Sequence, residues 1–132
     1  MPSAKPFDKT PNAYQREAHK TATYDDGVDD ISASHNHRRN KQLLRLAYVL
    51  TGLGGEVGEL QQLYSKIIRD SSGEMYEADR DRMISELGDV LWFVTETATV
   101  LDIPLSEVMQ RNLEKLRDRA DRNVISGSGD NR

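Results

Sequence analysis

The chain has no cysteine among its 132 residues, which excludes a disulfide framework, a thiolate metal site and a cysteine nucleophile. That absence fits a reducing compartment. Aromatic residues are scarce at 6%, against 30% charged residues, so the apolar side chains must be concentrated in a few stripes. No stretch approaches the roughly 20 apolar residues that a membrane span needs. Residues 1–12 hold two lysines and three prolines but no apolar run, and so do not read as a signal peptide. An excess of positive charge is missing too: 18 basic residues stand against 22 acidic ones, for a net charge of −4. That balance argues against a protein that coats nucleic acid. It leaves room for a small polyanionic substrate, because a divalent cation reverses the local charge of an acidic site. No internal repeat and no alternating strand pattern is present, and a soluble, cytoplasmic, all-α protein is expected.

What is present is helical periodicity. Residues 1–12 read as a flexible tail, 13–125 as one domain and 126–132 as a Gly/Ser-rich tail. Ala13 to Thr23 has helical character, whereas Asp25 to His37 reads as a loop, the His35/His37 pair included. A long helix is expected from Arg38 to about Arg69, with Leu43, Leu46, Leu50, Leu53, Val57, Leu60, Tyr64 and Ile67 at helical spacing. Asp70-Ser71-Ser72-Gly73 breaks it. A second runs from about Tyr76 to Leu101, and a third from Leu105 to about Arg122, with Pro104 near its first turn, where a missing N–H costs little. The expected architecture is a bundle of about four helices. Its apolar stripes are thin for a single copy, so a dimer or tetramer is expected.

Four carboxylates stand where apolar residues belong. Glu56 and Glu59 are three positions apart on the first long helix, and Glu86 and Asp89 repeat the device on the second. That spacing sets the members of each pair about 60° apart around a helix and one turn along it. Leu53 and Leu60 flank Glu56 at helical spacing, and Met83 and Val90 flank Glu86. A buried, unpaired carboxylate neutralises rather than stay ionised, so four together need a cation. Oxygen-only ligands favour Mg²⁺ or Mn²⁺. Di-iron bundles add Glu-x-x-His pairs, and neither long helix contains histidine. The competing reading places the four acids on solvated helix edges in ordinary surface pairs. Glycine next to the acids in both pairs, within apolar sequence, speaks against it.

Gly52-Leu53-Gly54-Gly55-Glu56-Val57-Gly58-Glu59-Leu60, followed by Glu86-Leu87-Gly88-Asp89-Val90-Leu91-Trp92, resembles the MazG-type nucleotide pyrophosphohydrolases. Asn112-Leu113-Glu114-Lys115-Leu116 resembles the N-x-x-K-L element of that family. Tyr14-Gln15 and the Gly-Ser-Gly-Asp-Asn-Arg ending resemble its short single-domain members, often encoded by phages and actinobacteria. One departure is Gly55, where many members carry a further Glu. The resemblance implies an all-α fold and Mg²⁺-dependent hydrolysis of a (deoxy)nucleoside triphosphate to the monophosphate and pyrophosphate. Glu56, Glu59, Glu86 and Asp89 would hold the metal, and Glu56 or Glu59 would serve as the catalytic base. Such chemistry needs positioning and charge neutralisation more than covalent steps.

Further substrate contacts are expected from Lys66, two turns beyond Glu59, from Phe93, one turn beyond Asp89, and from Asn112 and Lys115 on the last helix. For each there is a plainer role: a solvated lysine, a core aromatic, and an exposed face with charge pairs such as Glu107 with Arg111. Two alternatives to a nucleoside triphosphate substrate are another phosphorylated nucleotide, such as a phosphoribosyl-ATP or an alarmone, and a non-catalytic helical interaction module.

Overall fold

A computed structural model describes residues 9–34, 40–122 and 124. Most of both expected tails, and the His35-Asn36-His37 segment, lie outside the described residues. Five helices follow one another: α1 (Pro11–His19), α2 (Tyr24–Ser34), α3 (Lys41–Ser71), α4 (Glu77–Val100) and α5 (Leu105–Asp121). No strand occurs among the described residues.

The long helices begin and end where local chemistry requires. α3 stops as Ser72 and Gly73 turn left-handed, at φ 53° and 82°, and the Gly73 N–H returns to the Ile67 carbonyl. Glycine takes that conformation without a Cβ penalty. α4 opens with Glu77 and Asp79 in its first turn, favourable at the positive end of the helix, and the Tyr76 N–H donates to Asp79 Oδ2 at 3.1 Å. α5 is capped from a distance. Its Leu105 N–H donates to Gln15 Oε1 at 2.8 Å and its Ser106 N–H to Asn12 Oδ1 at 3.0 Å. Two side chains of α1 thus satisfy donors that the helix itself leaves orphaned.

α3 and α4 run antiparallel. Gln42, early in α3, donates to the Val100 carbonyl at the end of α4, while Glu56, near the middle of α3, meets Glu86 and Asp89. α1 lies along α4, fixed by Trp92 Nε1, which donates to the Ala18 carbonyl in α1 at 3.3 Å and to Thr21 Oγ1 just beyond it at 2.8 Å. The centre of the core is Tyr24, Val28 and Val49, with Leu44, Trp92 and Phe93 packed against it.

α2 corrects the expectation of a loop over Asp25 to His37 as far as Ser34, the rest of that stretch lying outside the described residues. Its Tyr24 and Val28, one turn apart, enter the core. Two of its four acids are tied to α3, Asp25 to Arg45 at 2.6 Å and Asp29 to Lys41 at 2.7 Å. Neither partner is local, so periodicity within the segment does not reveal the helix.

The α3 stripe expected to be core also divides. Of its members Ile67 is buried and Leu46, Leu53 and Leu60 are half-buried, whereas Leu43, Leu50, Val57 and Tyr64, recurring every seven residues, stay 64%, 52%, 37% and 48% exposed, and the fully buried residue of α3 is Val49, outside that stripe. Ile84, Leu87 and Leu91 of α4 are exposed as well. One copy of the chain therefore leaves apolar faces on both long helices uncovered.

Candidate metal centre

The antiparallel pairing of α3 and α4 brings the two acidic pairs to the same level. One carboxylate oxygen from each of Glu56, Glu86 and Asp89 can be chosen so that all three lie within 4.8 Å of one another. Ligands about 2.1 Å from a Mg²⁺ ion stand at most about 4.2 Å apart, so small side-chain rotations convert this triad into a coordinating set. Glu56 and Glu86 are half-buried and Asp89 is exposed. Glu86 Oε2 is shut off from solvent and has no hydrogen-bond partner among the described groups. A buried carboxylate oxygen left without a donor costs free energy unless something positive meets it. The residues present thus fit a hard divalent cation.

Electrostatics agree with the geometry. Burial raises the carboxyl pKa of Glu56 above its ordinary value, and the charges of Glu59, Asp89 and Glu86 push it the same way. The site is short of positive charge. Glu59 is exposed and stands outside the close triad, one turn beyond Glu56 on α3, near enough for its charge to act on Glu56.

The other expected site residues are distributed unevenly. Lys66 is exposed and its Nζ donates to Gln62 Oε1 at 3.1 Å. It lies ten residues past Glu56 on α3, about 15 Å along the axis, and its charge acts on Asp70. Phe93 is half-buried in the core cluster, with its ring edge-on to Trp92 at 4.8 Å. Asn112 and Lys115 come together as expected, lining an open cavity of about 440 Å³ with Ile103, Val108 and Arg111. None of the acidic triad lines that cavity or a second one, of about 400 Å³, between α1 and the α4–α5 turn.

Tyr14 was not singled out for a site role from the sequence. Burial raises its phenol pKa, and the Asp89 charge adds to the rise, so α1 places this phenol within the field of the acids. No periodicity signals the proximity, since α1 and α4 are far apart in the chain.

Among proteins of known sequence, the chain is 53% identical over 87 residues to the "Gene 37 protein" of Mycobacterium phage L5, a match that spans 66% of this chain and 76% of that protein. No solved structure matches. The family profile described as "MazG nucleotide pyrophosphohydrolase domain" matches residues 46–124, which include all four acids as well as Asn112 and Lys115. With that profile covering more than half of an all-helical chain whose acids converge from two helices, the chain belongs to the MazG nucleotide pyrophosphohydrolase family.

Proposed function

We propose that the chain hydrolyses a (deoxy)nucleoside triphosphate to the nucleoside monophosphate and pyrophosphate with Mg²⁺, for which Mn²⁺ can substitute. The observation that carries this reading is the convergence of Glu56, Glu86 and Asp89, with Glu86 Oε2 buried and unpartnered, in a chain of this family. When bound, the metal neutralises phosphate charge and lowers the pKa of an attacking water. Glu56, Glu86 and Asp89 would hold it, with Glu59 as a fourth carboxylate one turn away. Glu56, whose proton affinity is already raised by its surroundings, or Glu59 accepts the proton from water. Asn112 and Lys115 supply a donor and a positive charge for the phosphates. A role in housekeeping of the cytoplasmic nucleotide pool follows from this chemistry.

The test is pyrophosphate release from a panel of ribo- and deoxynucleoside triphosphates. Release in Mg²⁺ and its loss in excess EDTA are expected, together with a higher melting temperature when metal is present. Full activity in chelator, or no release from any triphosphate, would sink the reading.

The same reading includes self-association. The exposed seven-residue repeat on α3, with Ile84, Leu87 and Leu91 on α4, is the pattern by which helices pair along a seam, and exposed apolar helix faces of this kind support an interface. Light scattering at micromolar concentration should give the mass of a dimer or tetramer. A monomer mass there would contradict the assignment.

A further inference from the structure

We infer that Gly52 is a positioning residue for the acidic site: the bare backbone at position 52 seats the Phe93 ring and so sets the α3–α4 spacing at which Glu56 reaches Glu86 and Asp89. The inference rests on the metal-site reading proposed above. A Cβ built on Gly52 would overlap Phe93 Cε1 and Cζ and would stand 2.7 Å from Cδ1, inside any ordinary carbon–carbon contact. Around the acids the other glycines are different. Gly54, Gly55, Gly58 and Gly88 have nothing within 4 Å of the equivalent position. Helix flexibility is common to all five, but close approach is specific to Gly52.

The ring has little freedom to yield. Its neighbour Trp92 lies edge-on at 4.8 Å, and Tyr48 lies at 6.3 Å on another side. Trp92 is held by Thr21, and Tyr48 is stacked on Tyr24 at 4.8 Å. An added methyl group therefore strains the ring or moves the helices apart, as overpacking does in tightly filled interiors.

Register makes that movement matter. Gly52 precedes Glu56 by four residues and Phe93 follows Asp89 by four. In an antiparallel pair the glycine–ring contact consequently lies one helical turn from the carboxylates. The triad's oxygens lie within 4.8 Å of one another, already wider than the about 4.2 Å that two ligands of a Mg²⁺ ion can span, so a further opening on the order of 1 Å exceeds what small side-chain rotations close and removes a ligand. Glycine at 52 fixes a distance, while those nearer the acids do not.

The experiment measures Mn²⁺ affinity by electron paramagnetic resonance on the full chain, with helical circular dichroism as the control for folding. Gly54→Ala should bind Mn²⁺ like the wild type and melt higher, because alanine favours the helix. Gly52→Ala should retain the helical signal yet lose at least tenfold in Mn²⁺ affinity. Gly52→Ala with Phe93→Leu should recover most of that affinity, since leucine lacks Cε1 and Cζ, the two atoms that approach closest, and its δ carbons can rotate away. Unchanged Mn²⁺ affinity in Gly52→Ala overturns the inference while leaving the metal reading intact. So does loss of the fold in both position-52 variants, which would make the glycine a general packing residue. A wild-type chain that binds no Mn²⁺ overturns the metal reading and this inference together.

Discussion

Glu86→Gln should reduce pyrophosphate release about a hundredfold or more, which corresponds to about 2.7 kcal/mol of transition-state stabilisation, and should raise the melting temperature of the metal-free chain. The two effects have one cause. Glu86 Oε2 is buried without a donor, and the Glu86 charge helps to push the Glu56 pKa up. A raised carboxyl pKa means that the folded state resists ionisation. The stability this group contributes is full below the unfolded carboxyl range, near pH 4.3, and is lost as pH rises through the folded value. At neutral pH the metal-free fold therefore carries an unrelieved repulsion, which a neutral amide at position 86 reduces. The amide is a poorer ligand for a hard cation, so activity falls as the empty fold gains stability, a trade common at functional sites. Glu56→Gln and Asp89→Asn should move in the same directions. Glu59→Gln should lose activity too and should also raise the metal-free melting temperature, because the Glu59 charge is the largest of the three that act on Glu56, although Glu59 itself is exposed and outside the close triad. Turnover and metal-free melting temperature for the four variants provide the check. If two or more keep near wild-type turnover, the acids form surface pairs, worth only about 0–1 kcal/mol each, and the site assignment fails.

Glu96→Ala should cost about 3 kcal/mol of stability without touching the acidic triad. Glu96 is fully buried. Its carboxylate accepts the Tyr24 hydroxyl at 3.0 Å and lies 3.1 Å from His19 Nδ1, joining α4 to α2 and α1 through one side chain. Truncation leaves a cavity and strands a buried phenol. Urea unfolding of wild type and variant measures the loss. A change under about 1 kcal/mol would show that the network contributes nothing beyond an ordinary surface contact. The same network makes an alkaline prediction. Burial, then the Glu96 charge and hydrogen bond, hold the Tyr24 pKa well above the usual tyrosine value. The folded state keeps a proton that the unfolded chain releases near pH 10. Stability from that proton is full below this pH and is lost as pH climbs toward the folded value. Tyr24→Phe should lack that component of the alkaline decline, and an identical decline in both proteins would refute it.

The three longer helices were legible from the chain because their signals are local. The apolar spacing of α3 and α4, the Asp70-to-Gly73 break and Pro104 placed their limits within three residues of those observed. The paired acids were legible for the same reason: Glu56 with Glu59, and Glu86 with Asp89, each lie within one helical turn. α2 was not, because its two core residues are outnumbered by four acids, of which Asp25 and Asp29 find their partners, Arg45 and Lys41, on α3. Glu96 resembles any other glutamate on a helix until Tyr24 and His19 reach it from distant parts of the chain.

By itself the sequence determined the all-helical class, the family motif and which carboxylates are candidates, since these depend on residue type and spacing along one helix. Tertiary structure decided which of them meet. It gathered Glu56, Glu86 and Asp89 while leaving Glu59 at the edge, and it packed Phe93 against Gly52. It also turned Leu43, Leu50, Val57 and Tyr64 outward. Periodicity marks a helix face as apolar but not what covers it, because the packing partner of that face lies elsewhere in the chain or in another copy.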